Sequence, residues 1–220
     1  MVTASAIAAT LTTLIIGAYS DKIGKRKVFI AGGYILWGIS IVCFAFIRLD
    51  VISALFPAVV SAASVGVSLT IVMDCIMTFF GSSANDACFN AWLTDSTDET
   101  NRGAVEGINS MMPMMAILVV FGGAMLLDAT APWYWTVFFG VIGTIVTALG
   151  VLGFFIIKEP QVVSRDNQHY FKNLIYGFRP GVIRDNKKLY LTLLAYAVFG
   201  ISIQIFMPYL ILYYTETLLM

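Results

Sequence analysis

Residues Gly17–Lys27 read GAYSDKIGKRK, and this stretch decides the fold. It closes one long apolar run and opens the next. Between them it sets one acid, Asp21, and four bases, Lys22, Lys25, Arg26 and Lys27, in a short polar turn. Two apolar helices joined so tightly are expected to be neighbours, and a basic loop between membrane spans belongs on the cytoplasmic side. The rest of the chain can be oriented from it.

Composition agrees with a membrane setting. Of the 220 residues, 59% are apolar and 12% charged, against roughly 25% charged in a soluble domain. Divided by the ~20 apolar residues needed to cross ~30 Å of hydrocarbon, the chain holds about six spans. The expected fold class is all-α, a polytopic membrane helical bundle. Thirteen bases balance thirteen acids, and the bases lie in separate loops, so no concentrated basic face offers itself to nucleic acid. Cys43, Cys75 and Cys88 lie in apolar runs without C-x-x-C spacing and read as small buried hydrophobes. His169, alone in a polar loop, has no second ligand near it, so no metal site is expected. No span carries a nucleophile with a base, and no enzyme is suggested.

The spans read as follows. Val2–Tyr19 is a span and not a signal peptide, having no basic region ahead of it. Val28–Ile47 follows, closed by Arg48 and Asp50. From Val51 to Leu93 the chain is too long for one crossing and nearly long enough for two. A single crossing at Val65–Leu93, with Val51–Ser64 as an interfacial lip, leaves Arg102, Lys158, Arg165, Lys172, Arg179, Arg184, Lys187 and Lys188 on the side of the opening loop and only Arg48 outside. Two crossings export the whole segment from Arg102 to Lys188, so the positive-inside bias selects one. Ala104–Leu127 and Trp133–Ile157 then pair about an outer turn, Asp128–Pro132, with Trp133, Tyr134 and Trp135 as an interfacial anchor. Leu189–Tyr214 is the sixth span. The expected organisation is a bundle over 1–157, a cytoplasmic loop over 158–188 and a further helix in 189–220. In the loop, YFKNLIYGFRPGVI reads either as a helix on the inner leaflet broken near Gly177 and at Pro180, or as a plain linker.

Polar groups inside spans are costly and therefore informative. The third span carries Asp74, Ser82, Ser83, Asn85, Asp86 and Asn90. Ser82, Asp86 and Asn90 are four apart and share one face of an α-helix. Asp86 is the candidate proton or cation site, with Ser82, Asn85 and Asn90 donating to a polar solute; the bland alternative is interhelical hydrogen bonding. Asp74 lies nearer the outer mouth, turned roughly 120° away at 100° per residue. On the last span Gln204 is mid-membrane, followed by Met207, Pro208 and Tyr209, where a proline break frees a carbonyl for a contact or simply kinks the helix. Gly140, Gly143, Gly150 and Gly153 read as close helix packing and not as a site.

The opening motif resembles the signature loop of the major facilitator superfamily: Gly17, Asp21, Lys22, Gly24, Lys25 and Arg26 match, with Tyr19 in place of the usual Leu. The acids and base Asp95, Asp98, Glu99 and Arg102 after the fourth helix, the Glu159–Pro160 pair closing the sixth and the long central loop are similar as well. The resemblance implies helices two to seven of a twelve-helix transporter, a partial major facilitator fold, whose remaining helices, absent here, are then partners along with the lipid bilayer. It implies a latch of Asp21, Lys25 and Arg26 with Asp95, built from partly exposed pairs worth ~1 kcal/mol each, with Gly24 at the tight turn. The acidic fourth helix and GYILWG also resemble the glycoside-pentoside-hexuronide cation symporters. The expected function is secondary active transport of a small polar solute such as a sugar across the plasma membrane, with a proton or sodium ion as coupling ion and no other cofactor. Carriage of lipid or lysolipid, and a non-transporting sensor on the same fold, are the alternatives.

Overall fold

The computed structural model describes residues 2–55, 61–128, 130–159 and 179–217, and among them every regular element is helical. They form two units, residues 1–166 and 167–220. In the first, α1 spans Val2–Ile23, α2 Arg26–Phe44, α3 Leu49–Leu55 and α4 Ala62–Gly81. A π-helical segment, Ser82–Phe89, carries α4 into α5, Asn90–Asp95. Two 23-residue helices follow, α6 at Arg102–Ala124 and α7 at Tyr134–Ile156.

The signature loop works by two local devices. The Gly24 N–H bonds the Ser20 carbonyl at 2.9 Å with φ of +69°, the left-handed position that closes a helix and that glycine takes without a Cβ penalty. Lys25 is then extended, and α2 starts at Arg26. Lys25 offers no side-chain cap. Instead the Glu159 carboxylate, just beyond α7, accepts the Arg26 N–H and the Lys27 N–H at 3.3–3.4 Å. Free N–H groups and the positive end of the helix dipole both favour an anion there.

The expectation that α1 and α2 pack as neighbours is corrected. Beyond an edge-on Tyr19–Phe29 ring contact at 5.8 Å, they touch only slightly. α2 lies chiefly against α7, whereas α1 packs on α4 and the π-helical segment. Glycine makes the α2–α7 approach possible: a Cβ on Gly143 stands 2.7 Å from the Gly38 carbonyl, and one on Gly150 2.7 Å from the Ile35 nitrogen. Gly140 has open space instead. Close packing through the glycines of this run therefore holds for Gly143, Gly150 and, against Ala31, Gly153.

The ambiguous run 51–93 resolves into α3 and one continuous helix from α4 through α5. Arg26 pairs with Asp95 at 2.7 Å, so the run ends where α2 begins, which requires an even number of crossings between them: α2 and one more. Glu159 lies at that same end. At the opposite end Arg48 reaches Thr136 at 3.4 Å and grips Asp50 through two 3.0 Å bonds, which hold the Asp50 carboxyl below its usual range. At ~1.5 Å per residue the α4–α5 rod is about 50 Å long, so it overruns ~30 Å of hydrocarbon or tilts.

Among the described residues, four helices are long and apolar enough to cross a membrane: Arg26–Phe44, Ala63–Asp95, Arg102–Ala124 and Tyr134–Ile156. The first and last expected spans are also helical, as α1 and as the long helix of the second unit. That unit contains α8, Pro180–Asp185, α9, Lys187–Leu212, and a terminal π-helical turn, Tyr213–Thr217. Pro180 starts α8 at its first turn, where its missing N–H costs nothing, and Arg179 before it is extended. His169, Gly177 and most of the proposed inner-leaflet stretch lie outside the described residues.

The core of the first unit is Ile30, Ala87 and Cys88, ringed by Ile16, Phe29, Tyr34, Phe89, Trp92 and Ile157. Of the three cysteines only Cys88 is buried; Cys75 is half-buried and Cys43 exposed, correcting the uniform reading of them as buried hydrophobes. α6 buries no residue against the others, so its apolar sides are left for lipid or further helices.

Candidate functional site

Two polar constellations lie in the first unit. The inner one centres on Arg26, whose side chain is 8% exposed. Its Nη2 is 2.9 Å from Asp21 Oδ1 and its Nε 2.7 Å from Asp95 Oδ2. The Nε approach is close without the alignment of a hydrogen bond, and Nη1 has no hydrogen-bond partner among the described residues. The structure thus unites Gly17, Asp21, Gly24, Arg26 and Asp95 at one end of the bundle. Lys25 is exposed and makes no ion pair among the described residues. The acids of these pairs are partly exposed as expected, 49% for Asp21 and 31% for Asp95, but the shared base is buried, which makes loss of the less exposed partner costlier than in a surface pair. Trp92 reinforces this end by donating from Nε1 to the Lys158 carbonyl at 2.9 Å. Arg102 closes α5 by reaching the Thr94 and Thr97 carbonyls at 3.1 and 3.3 Å.

The second constellation sits on the π-helical segment. Here the Asn90 N–H bonds the Asn85 carbonyl five residues back, so groups four apart no longer stack as they do in an α-helix. Ser82 accordingly turns inward and is buried, as are Ser83, Ala84, Ala87 and Cys88, while Asp86 and Asn90 stay exposed. The expected single stripe of Ser82, Asp86 and Asn90 is thereby divided. Asp86 keeps Asn90 close, through a 3.5 Å contact of the Asn90 amide with the Asp86 carbonyl. Asp86 also keeps Asn85, whose Nδ2 lies 3.2 Å from Asp86 Oδ1. Asp74 is half-buried in α4, three turns earlier. Gln204 belongs to α9 in the second unit, and its side chain, with those of Met207 and Pro208, lies outside the described residues.

Sequence reading missed Tyr34. Its hydroxyl donates to Asn85 Oδ1 at 3.2 Å across 51 positions of chain. Trp37, one turn on, lies against Gly81, where a Cβ would meet the indole at 3.0 Å. The aromatic pair in GYILWG, at the spacing of one helical turn, was the available signal. Glu159 was noticed as a chain feature, but its capping of α2 follows only from the fold. Tyr34 also borders an apolar cavity of about 230 Å³ with Ile30, Phe89, Leu149 and Gly150.

Residues 1–219 match the family model of the Major Facilitator Superfamily. No curated protein and no solved structure matches the chain. The family match spans nearly all of the sequence, and the all-helical fold, its apolar spans and the signature loop at the end of α1 agree with it. The chain is an integral membrane protein of transporter type and belongs to the major facilitator superfamily.

Proposed function

We propose that the chain forms the solute- and cation-binding face of a multi-pass secondary transporter of the plasma membrane, moving a small polar solute such as a sugar with a proton or sodium ion. The observation that carries this reading is Asp86: a carboxylate within an apolar rod, on a π-helical segment, exposed and flanked by two amides. Intramembrane carboxylates are costly and belong to ion and substrate paths, and π-helical turns concentrate at functional sites. Asn85 and Asn90 supply hydrogen bonds to the solute, Asp74 is a further polar group of the same unit, and Gln204 is a candidate contact of the second unit by itself. The similarity to glycoside-pentoside-hexuronide symporters supports a sugar.

The Asp21–Arg26–Asp95 cluster serves as the latch that opens and closes in each cycle. Solute binding biases that cycle only if the two states hold the solute with unequal affinity. The alternative of a lipid carrier gains little from the apolar cavity: its 230 Å³ falls below the ~300–1,000 Å³ of sites for drug-sized ligands.

The test is uptake by the full-length protein in proteoliposomes, with a panel of labelled sugars and labelled lysolipids under imposed proton or sodium gradients. Asp86→Asn is expected to abolish gradient-driven sugar accumulation while the protein still inserts. Unchanged coupled uptake removes Asp86 from the site, and uptake of lysolipid in place of sugars replaces the reading with the carrier.

A further inference from the structure

Asn85 and Asp86 are consecutive, and consecutive side chains on an α-helix do not face each other. Their 3.2 Å contact therefore depends on the π-helical turn and on what holds the Asn85 amide from outside. Tyr34 is that hold. Its hydroxyl donates to Asn85 Oδ1 at 3.2 Å, which directs Nδ2 toward the carboxylate. With the amide reversed, its carbonyl oxygen would face Asp86 Oδ1, acceptor against acceptor. Only one polarity satisfies all three groups: phenol to amide to carboxylate. Among the described residues Asn85 is the sole donor onto the Asp86 carboxylate, because the Asn90 amide meets the backbone carbonyl instead. Among the described residues the second carboxylate oxygen has no hydrogen-bond partner, and Asp86 as a whole is exposed.

We infer that Tyr34 is a positioning residue for ligand binding at Asp86, fixing the orientation of the Asn85 amide so that one carboxylate oxygen is tied and the other is presented to the cation or to a solute hydroxyl. This rests on the reading of Asp86 as the site. Tyr34 borders the apolar cavity, and its hydroxyl reaches the Asn85 amide.

Dicyclohexylcarbodiimide tests the relay without any transported solute, because the carboxyl passes its proton to the carbodiimide nitrogen and its oxygen then attacks the carbodiimide carbon, and an oxygen tied to the Asn85 amide is less free to attack. In the purified full-length protein at one pH, the rate of Asp86 labelling is followed by peptide mass, with Asp86→Asn as the assignment control. Tyr34→Phe, which keeps the ring, is expected to speed labelling about five-fold, the equivalent of one neutral hydrogen bond. Asn85→Leu is expected to do at least as much, and the double variant no more than Asn85→Leu alone. For any sugar that the panel shows to be accumulated, Tyr34→Phe raises KM by a similar factor with Vmax kept within about two-fold. Should Tyr34→Phe fail to yield folded protein, Tyr34→Met takes its place, since it fills the space flexibly and likewise has no hydroxyl to donate to Asn85, and labelling must again quicken. An unchanged labelling rate, or effects of Tyr34→Phe and Asn85→Leu that multiply, overturns the relay. Loss of the site reading shows differently, as normal coupled uptake by Asp86→Asn.

Discussion

Removal of Asp95 should damage the protein more than removal of Asp21, although both bind the same guanidinium. Asp95→Ala leaves Arg26, 8% exposed, with one carboxylate that is itself half in solvent. Stripping a partner from a fully buried pair costs about 3–5 kcal/mol, and an exposed pair is worth about 0.2–1 kcal/mol. Asp95 is 31% exposed, so its loss falls between these limits, at about 2–3 kcal/mol, or roughly 30- to 150-fold in the folding equilibrium. Asp21, 49% exposed, should cost about 1 kcal/mol. Arg26→Met removes the buried charge and leaves two acids that water can reach, so the double variant Arg26→Met/Asp95→Ala should be more stable than Asp95→Ala alone. Reversible denaturation in detergent micelles, followed by tryptophan fluorescence with Trp92 close by, measures all four. Equal losses for Asp21→Ala and Asp95→Ala, or a double variant no better than the single, would refute the buried-cation argument. Because the same cluster is the proposed latch, cysteine accessibility at the two ends should also shift toward the open state in Asp95→Ala.

Three further outcomes follow from packing, capping and ionisation. Gly143→Ala should destabilise by about 1–3 kcal/mol through overpacking against Gly38 and Val42, while Gly140→Ala, with nothing within 4 Å of the new Cβ, should be neutral; the same denaturation assay separates them. Glu159→Ala should cost about 1 kcal/mol by uncapping α2, visible as faster hydrogen exchange at the Arg26 and Lys27 amides, with Glu159→Gln retaining part of the protection. In the loop before α6 the Thr100 hydroxyl and the N–H groups of Thr100 and Asn101 donate to Asp98 and hold its carboxyl below the unperturbed value of 3.8. A lowered folded-state pKa gives stability that is fully present above the unfolded value and lost as pH falls through the folded one. Exchange protection at Thr100 and Asn101 should therefore persist down to about pH 4 and vanish below it. In Asp98→Asn it should be weak and independent of pH across that range.

Much of the fold could be read from local residue types. Apolar runs with charged ends place all six long helices and Gly24 marks its turn, while the partnership of Arg26 with Asp95 was implied by the resemblance to the major facilitator signature loop. Asp86 stands out because a carboxylate in an apolar run is conspicuous whatever surrounds it. The surroundings were not legible. A π-helical turn needs one residue of local rearrangement, which periodicity at 100° per residue cannot register, and it turned Ser82 inward while leaving Asp86 out. Tyr34 and Glu159 act over 51 and over 132 to 133 positions of chain, and no local pattern ties them to Asn85 or to the start of α2.

By itself the sequence determined that this chain spans a membrane as helices, where the long helices lie and which polar groups are expensive enough to matter, because hydrophobic length, loop charge and glycine conformation are local properties. Only the tertiary structure decided which helices are true neighbours, that α2 leaves α1 for the glycine face of α7, that the signature arginine is buried between two acids, and that Tyr34 orients the amide beside Asp86. Those outcomes depend on how closely backbones can approach and on which donors and acceptors meet across the bundle. Such quantities exist only once distant segments are packed together.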